Sequence, residues 1–349
     1  MRDVVSVTKI TYFVPNCCKV LKLIGLAIIS AKMGSYFYCF DKNRTRTVPV
    51  AVLGLMRAKN LSFKIATGLM MIYNEIFKMK YFLICCIAGC FLSCQSSKKI
   101  QLKVPAFKSE NKDGEAFFKS VISFNWKQRD SAAVREILSG NIPSFLKQFV
   151  PVYSSVSDSN GKHHTAIIYV GADYLSVGND DDFARVPLTP LAAQKIADSL
   201  NCFLPTKKIV DLIYEQATIK PEPVPMYIFR DSSVTMWQHH LIIEGQRKQQ
   251  KGLIAGIKKD VVISAKILSD PKPNRVAIYG WHQLNGKPIQ PLYTGHVNWY
   301  ADYSHGIRLV YRKIKVDGKW MDYEAVLKDP VLQKLICDEA ACNFYRYAY

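Results

Sequence analysis

The segment MKYFLICCIAGCFLSC, Met79 to Cys94, limits what this chain can fold into more than any other feature. It opens on one lysine, runs apolar for about a dozen residues and places small residues near its end, the layout of a secretory signal. A helix needs about 20 apolar residues to cross a bilayer comfortably, so this run is too short for a lasting span. The folded body is expected after it, in an exported chain. Residues 1–78 then stand in front of a signal that belongs at a start. Their apolar patches, Val20–Ile29 and Val48–Leu55, lack helical periodicity, and Lys42, Arg44 and Arg46 form a basic cluster. We expect residues 1–78 to be translated upstream sequence, with the working start at Met79.

The end of the signal resembles the bacterial lipobox, a Leu-small-small-Cys-like tetrad. That resemblance implies a diacylglycerol thioether on the cysteine, which becomes the mature N-terminus. Two positions compete. Ile87-Ala88-Gly89-Cys90 is closer to the tetrad but leaves an apolar run of only about seven residues, short by the usual range. Phe91-Leu92-Ser93-Cys94 departs from the pattern at Leu92 and Ser93, yet has the better run length and a polar tether directly behind it. Run length favours lipidation at Cys94. Acyl chains contribute about 0.8 kcal/mol per buried methylene, enough for several together to hold a folded body at a membrane. Gln95 in place of Asp resembles lipoproteins sorted to the outer membrane, and no acidic run follows Cys94. The expected location is the cell envelope, on the outer membrane facing the periplasm.

The net charge of +19 invites a nucleic-acid reading, but it divides. Residues 1–78 hold 12 Lys+Arg against 3 Asp+Glu, and the other basic residues are scattered in pairs such as Lys207-Lys208 and Lys258-Lys259. No aromatic or glycine interleaving makes a stacking platform of them, so no nucleic-acid partner is expected. Attraction to anionic headgroups or wall polymer suits this charge better.

The sequence after Cys94 reads as a lysine-rich tether over 94–114 and one α+β domain over 115–349, a mixed sheet with flanking helices. Apolar spacing predicts helices over 115–124 and 131–138. A hairpin is expected from Phe149–Val156 and Thr165–Val170 across the turn Ser157–Gly161, with a third strand over Asp173–Val177. Thr189-Pro190 opens a helix through Leu200, and Thr206 opens another. Lys220–Pro225 is a stiff linker, and Val234–Glu244 a further helix. Strand content marks Asp260–Ser264, Val276–Gly280 and Ile307–Val316, and Asp329-Pro330 caps a last helix to about Ala340. Of ten cysteines, only Cys202, Cys337 and Cys342 follow Cys94. Five residues apart on that last helix, Cys337 and Cys342 would be badly placed for a disulfide.

All seven histidines lie in the mature domain, three of them in the aromatic-rich block from Tyr279 to Arg308: His282, His296 and His305. The pairs His163-His164 and His239-His240 are expected at the surface, and Asn179–Asp182 as a solvated turn rather than a calcium loop. The block contains Gly-Trp-His282 and then Asp302-Tyr-Ser-His-Gly-Ile-Arg308-Leu. With Lys258-Lys-Asp260-Val-Val, it resembles an uncharacterised group of bacterial secreted proteins and lipoproteins, from about Phe149 through Glu339. The resemblance implies a shared domain and no particular reaction.

Three chemistries fit the block. His282, His296 and His305, with Asp302 or Asp260, could bind a divalent metal that activates water, although their spacing matches no compact metal motif. His305 could act as a general base toward a nucleophile; Ser304 is a poor partner because neighbours on a strand point apart, and Cys202 has little to recommend it. Or the block is a binding pocket, Arg308 gripping a carboxylate or phosphate while Trp281, Trp299 and Tyr303 stack on a sugar or peptide. A single ring here is as readily core as site. We expect a hydrolase of envelope or imported polymer, with His282, His296, Asp302 and His305 catalytic. The alternative is a glycan- or peptide-binding lipoprotein using the same pocket. A structural scaffold has less reason to cluster histidines.

Overall fold

The hairpin turn is held by its own side chain: Asp158 Oδ1 accepts from the backbone N–H groups of Asn160 and Lys162, at 2.9 and 2.8 Å. In a computed structural model, which describes residues 100–105 and 112–349, that turn joins β1 (Phe149–Ser157) to β2 (His163–Gly171) as an uninterrupted antiparallel ladder. Ahead of them lie two helices, α1 (Gly114–Ser120) and α2 (Trp126–Leu138). A capping box at Asn125 and Gln128 starts α2. The expected extension, signal, Cys90 and Cys94 fall outside the described residues.

After β2 come β3 (Ser176–Gly178) and β4 (Phe183–Arg185), which pair only with each other, then α3 (Pro190–Ser199), β5 (Cys202–Phe203) and α4 (Lys207–Gln216). Thr189 and Thr206 cap α3 and α4 as their sequence positions predict. The long helix α5 (Ser233–Arg247) leads to β6 (Lys259–Val262), β7 (Arg275–His282), β8 (Pro288–Val297) and β9 (His305–Gly306). The chain closes with β10 (Val310–Tyr311), β11 (Lys313–Val316), β12 (Lys319–Asp322) and α6 (Tyr323–Lys328).

The strands form a six-stranded sheet ordered β12-β11-β2-β10-β5 with β1 on the other edge of β2, and a four-stranded sheet ordered β8-β7-β6-β9. Among the described strands only β6 and β9 pair in parallel, so the four-stranded sheet is mixed, the six-stranded sheet is antiparallel, and the class is α+β. The main core joins Phe117 and Ile137 from the first helices to Ile168 and Val170 of β2, Ile196 of α3 and Phe203 of β5. Among the described residues no helix is long and apolar enough to cross a membrane.

Several expectations are corrected. The last helix does not form: α6 ends before Asp329, and only a 3-10 turn, Leu332–Leu335, follows. Freed from a helix, Cys337 and Cys342 approach to a Cα separation of 6.3 Å and form a disulfide. Strand β8 was not foreseen; it holds Pro288 and Pro291, and two register shifts against β7 break its alternation. His164, His239 and His240 are buried, not at the surface. His164 Nδ1 lies 2.6 Å from Asp317 Oδ2, and His239 Nδ1 lies 3.0 Å from the buried Lys258 Nζ. Asn179–Asp182 is a turn as expected, with Asn179 Oδ1 accepting from the backbone of Asp181 and Asp182.

Candidate functional site

The site is built on the four-stranded sheet, and a switch in β7 decides which histidine reaches it. Up to Tyr279 the strand alternates: Val276 and Ile278 join the main core, while Ala277 and Tyr279 pack with Val210 of α4 on the opposite face. Gly280 and Trp281 then take positive φ, 106° and 58°. The left-handed backbone breaks the period of two. Trp281 returns to the main core, and His282 lands on the α4 face beside Tyr279, where strict alternation would forbid it.

On that face His282 stacks on Tyr214 at 4.4 Å, and its Nε2 lies 3.2 Å from Asp211 Oδ1. Tyr279 donates to the same oxygen at 2.7 Å, and Lys207 Nζ donates to Asp211 Oδ2 at 3.0 Å. His282 is thus committed to a satisfied network. It pairs with Pro288 at one end of the β7–β8 ladder, whereas His296 pairs with Val276 at the other, about 20 Å along the strand by its rise per residue. The three-histidine metal set is divided. Among the described residues no group of three or more His, Cys, Asp or Glu side chains could hold a metal ion, so the metal reading does not fit the residues present.

His296, Asp302 and His305 do come together. The His296 and His305 rings lie 5.9 Å apart, with Tyr300 4.8 Å from the first and 5.9 Å from the second. Asp302 is buried and accepts from Ser304 Oγ at 2.5 Å, from the Ser304 backbone N–H at 2.8 Å and from Arg230 Nη2 at 2.9 Å. Burial opposes its ionisation, but His305, Ser304 and Lys259 together hold its carboxyl well below the usual range. Ser304 serves the carboxylate, not His305. Cys202 is buried with its thiol pushed far up, which rules out a ready nucleophile.

His305 is the anomaly. Its side chain is 0% exposed, yet neither Nδ1 nor Nε2 has a hydrogen-bond partner. Burial, set against the opposing charge of Asp302, brings its pKa down to about 4, so it is a neutral imidazole with a free lone pair at pH 7. Lys259, its partner across the β6–β9 ladder, sits with its ammonium 5.1 Å over the Trp281 ring. Burial lowers Lys259 too, and brings the adjacent Lys258 to about 7.

The predicted ligand grip comes apart. Arg308 is buried and donates to the carbonyls of Gly171, at the end of β2, and of Ile254, each at 2.7 Å, with its guanidinium 4.3 Å from the centre of the Tyr174 ring, so its groups are taken up by the fold. Its Nε lies 3.9 Å from Asp260 Oδ1, and Tyr174 donates to Asp260 Oδ2 at 2.9 Å, which holds Asp260 in the interior. Tyr303 is core, its hydroxyl accepting from the Met226 backbone N–H at 2.6 Å. Trp281 is core as a ring, although its Nε1 is unpaired. Of the aromatic residues expected to stack on a ligand, only Trp299, 43% exposed, is free to do so.

Arg230 had no local sequence signal. It arrives on the loop from 225 to 232, whose backbone is tied to the site by Tyr303 N–H donating to the Arg230 carbonyl at 2.9 Å. The tip of the loop exposes Tyr227 at 84% and Phe229 at 78%, and the loop lines an open cleft of about 660 Å³ with Val234 and Gln238 of α5. Charged centre and apolar cleft thus share one loop. No family model, curated protein or solved structure matches the chain.

Proposed function

We propose that the chain is a lipid-anchored envelope hydrolase of cell-envelope or imported polymer, with His305 as general base and Asp302 as its electrostatic partner. The orphaned imidazole carries this reading. A buried polar group without a partner costs about 1–3 kcal/mol, and a catalytic role is one reason a fold keeps such a group. Neutral His305 can take a proton from a water molecule as that water attacks, and return it to the leaving group. The imidazolium formed in between is stabilised by Asp302, which Arg230 and Ser304 keep ionised and fixed. The cleft on the loop that also carries Arg230 offers Tyr227 and Phe229 as apolar stacking surface for a polymer chain.

The binding alternative is weaker, because Arg308 and Tyr303 are consumed by the fold. The anchor at Cys94, with Cys90 as competitor, rests on the signal-like segment. The Cys337–Cys342 disulfide supports an oxidising, exported setting. Cells expressing the full chain, a His305→Gln variant and a variant with Cys90 and Cys94 both changed to Ser test the proposal. Isolated envelope polymers are assayed for released reducing ends and free amines, and the protein for labelled palmitate. Wild type should release fragments and carry label; His305→Gln should lose release, and the double cysteine change should lose label. Wild type without release from any polymer overturns the hydrolase, and label surviving both cysteine changes overturns the anchor.

A further inference from the structure

Around His305 the unmet groups are nearly all donors. Trp281 Nε1 and Arg230 Nε are buried without a hydrogen-bond partner. Among the described residues Lys259 Nζ makes no hydrogen bond or ion pair; its neighbour is the Trp281 ring. An indole N–H, a guanidinium N–H and an ammonium can only donate. The one carboxylate at hand, Asp302, already takes three donors from Arg230 and Ser304. The ladder brings three of these groups close: Lys259 is the cross-strand partner of His305 on one side and of Gly280, next to Trp281, on the other, with strands about 4.8 Å apart, and Arg230 joins them through Asp302. His305 at 0% and Trp281 at 4% exposure are deeply buried, and among the described residues their side-chain nitrogens have no partner.

We propose that Lys259, Arg230 and the Trp281 indole form a receptor for one oxyanion, a carboxylate or phosphate group of the ligand. An oxyanion supplies the several acceptor lone pairs and the negative charge that two cations facing one carboxylate lack. Its place beside His305 makes the polymer under "Proposed function" an anionic one. That role rests on the hydrolase reading; the binding of the anion does not.

The full chain is titrated with inorganic phosphate and with acetate at constant ionic strength, followed by tryptophan fluorescence and thermal unfolding. At least one anion should bind saturably, and Lys259→Met and Arg230→Gln should each weaken it roughly tenfold or more. The Arg230 side chain is 41% exposed, so Arg230→Gln keeps the test alive if the Lys259 variant does not fold. Trp281→Phe should lose the fluorescence response. Stronger phosphate binding identifies a phosphorylated ligand, and stronger acetate binding a carboxylated one. Failure of both anions to saturate, or binding unchanged in both charge variants, overturns the receptor. Polymer release without anion binding refutes this inference and spares the hydrolase; anion binding without release does the reverse.

Discussion

The two faces of the four-stranded sheet each bury a histidine, and the two are treated in opposite ways. His282, facing α4, is stacked on Tyr214 and paired with Asp211, in a network where Tyr279 and Lys207 share the same carboxylate. His305, on the strand beside β6, is more deeply enclosed and has neither nitrogen paired. The same residue type at similar burial is framework in one place and unspent chemistry in the other. Satisfaction of the polar atoms, not clustering in sequence, separates them.

The widest separation expected is in turnover. His305→Ala should lower the initial rate of polymer release by roughly 10²–10⁴-fold, the usual loss when a general base is removed. His282→Ala should leave the rate unchanged and lower unfolding stability by about 3 kcal/mol in urea titration, because it strips a buried stack and a charge-assisted contact. Equal rate loss in both variants would break the comparison.

Acid sharpens it next. The pKa of His305 is held near 4 by burial, against an ordinary value of 6.5, so the unfolded chain takes up its proton first as pH falls. Its contribution to stability is complete above about pH 6.5 and is lost between there and about pH 4. Between pH 7 and pH 5 wild type should therefore lose about 2 kcal/mol more than a His305→Asn variant, read from urea midpoints. His239 and His240, also lowered by burial, shift both proteins alike and cancel. The smallest effect belongs to Trp299: half-exposed, its change to Ala should move stability by no more than about 0.5 kcal/mol.

Local signals were legible and distant ones were not. The β1–β2 hairpin and the caps at Thr189 and Thr206 rest on neighbours in sequence and stand where their residues predict. The segment from His296 to His305 also assembles as one local unit. His282 was misgrouped because its orientation depends on the positive φ of two residues before it, which periodicity cannot register. Arg308 looked like a ligand grip, but its partners are carbonyls at Gly171 and Ile254, far away in the chain. Arg230 and Lys259 join the site through a loop contact and a strand pairing, neither of which spacing encodes. The last helix failed where a disulfide and a 3-10 turn won over cap propensity.

The left-handed step at Gly280-Trp281 also governs how the chain tolerates changes of length. A residue added or removed between Val276 and His282 would exchange the contents of the two faces, sending the imidazole toward the interior and the indole against α4. The exposed turn at Asn285-Gly286, a few positions on, faces water and is where such insertions are accommodated. Along this ribbon, a one-residue change of length should be ruinous before His282 and tolerated at the Asn285-Gly286 turn.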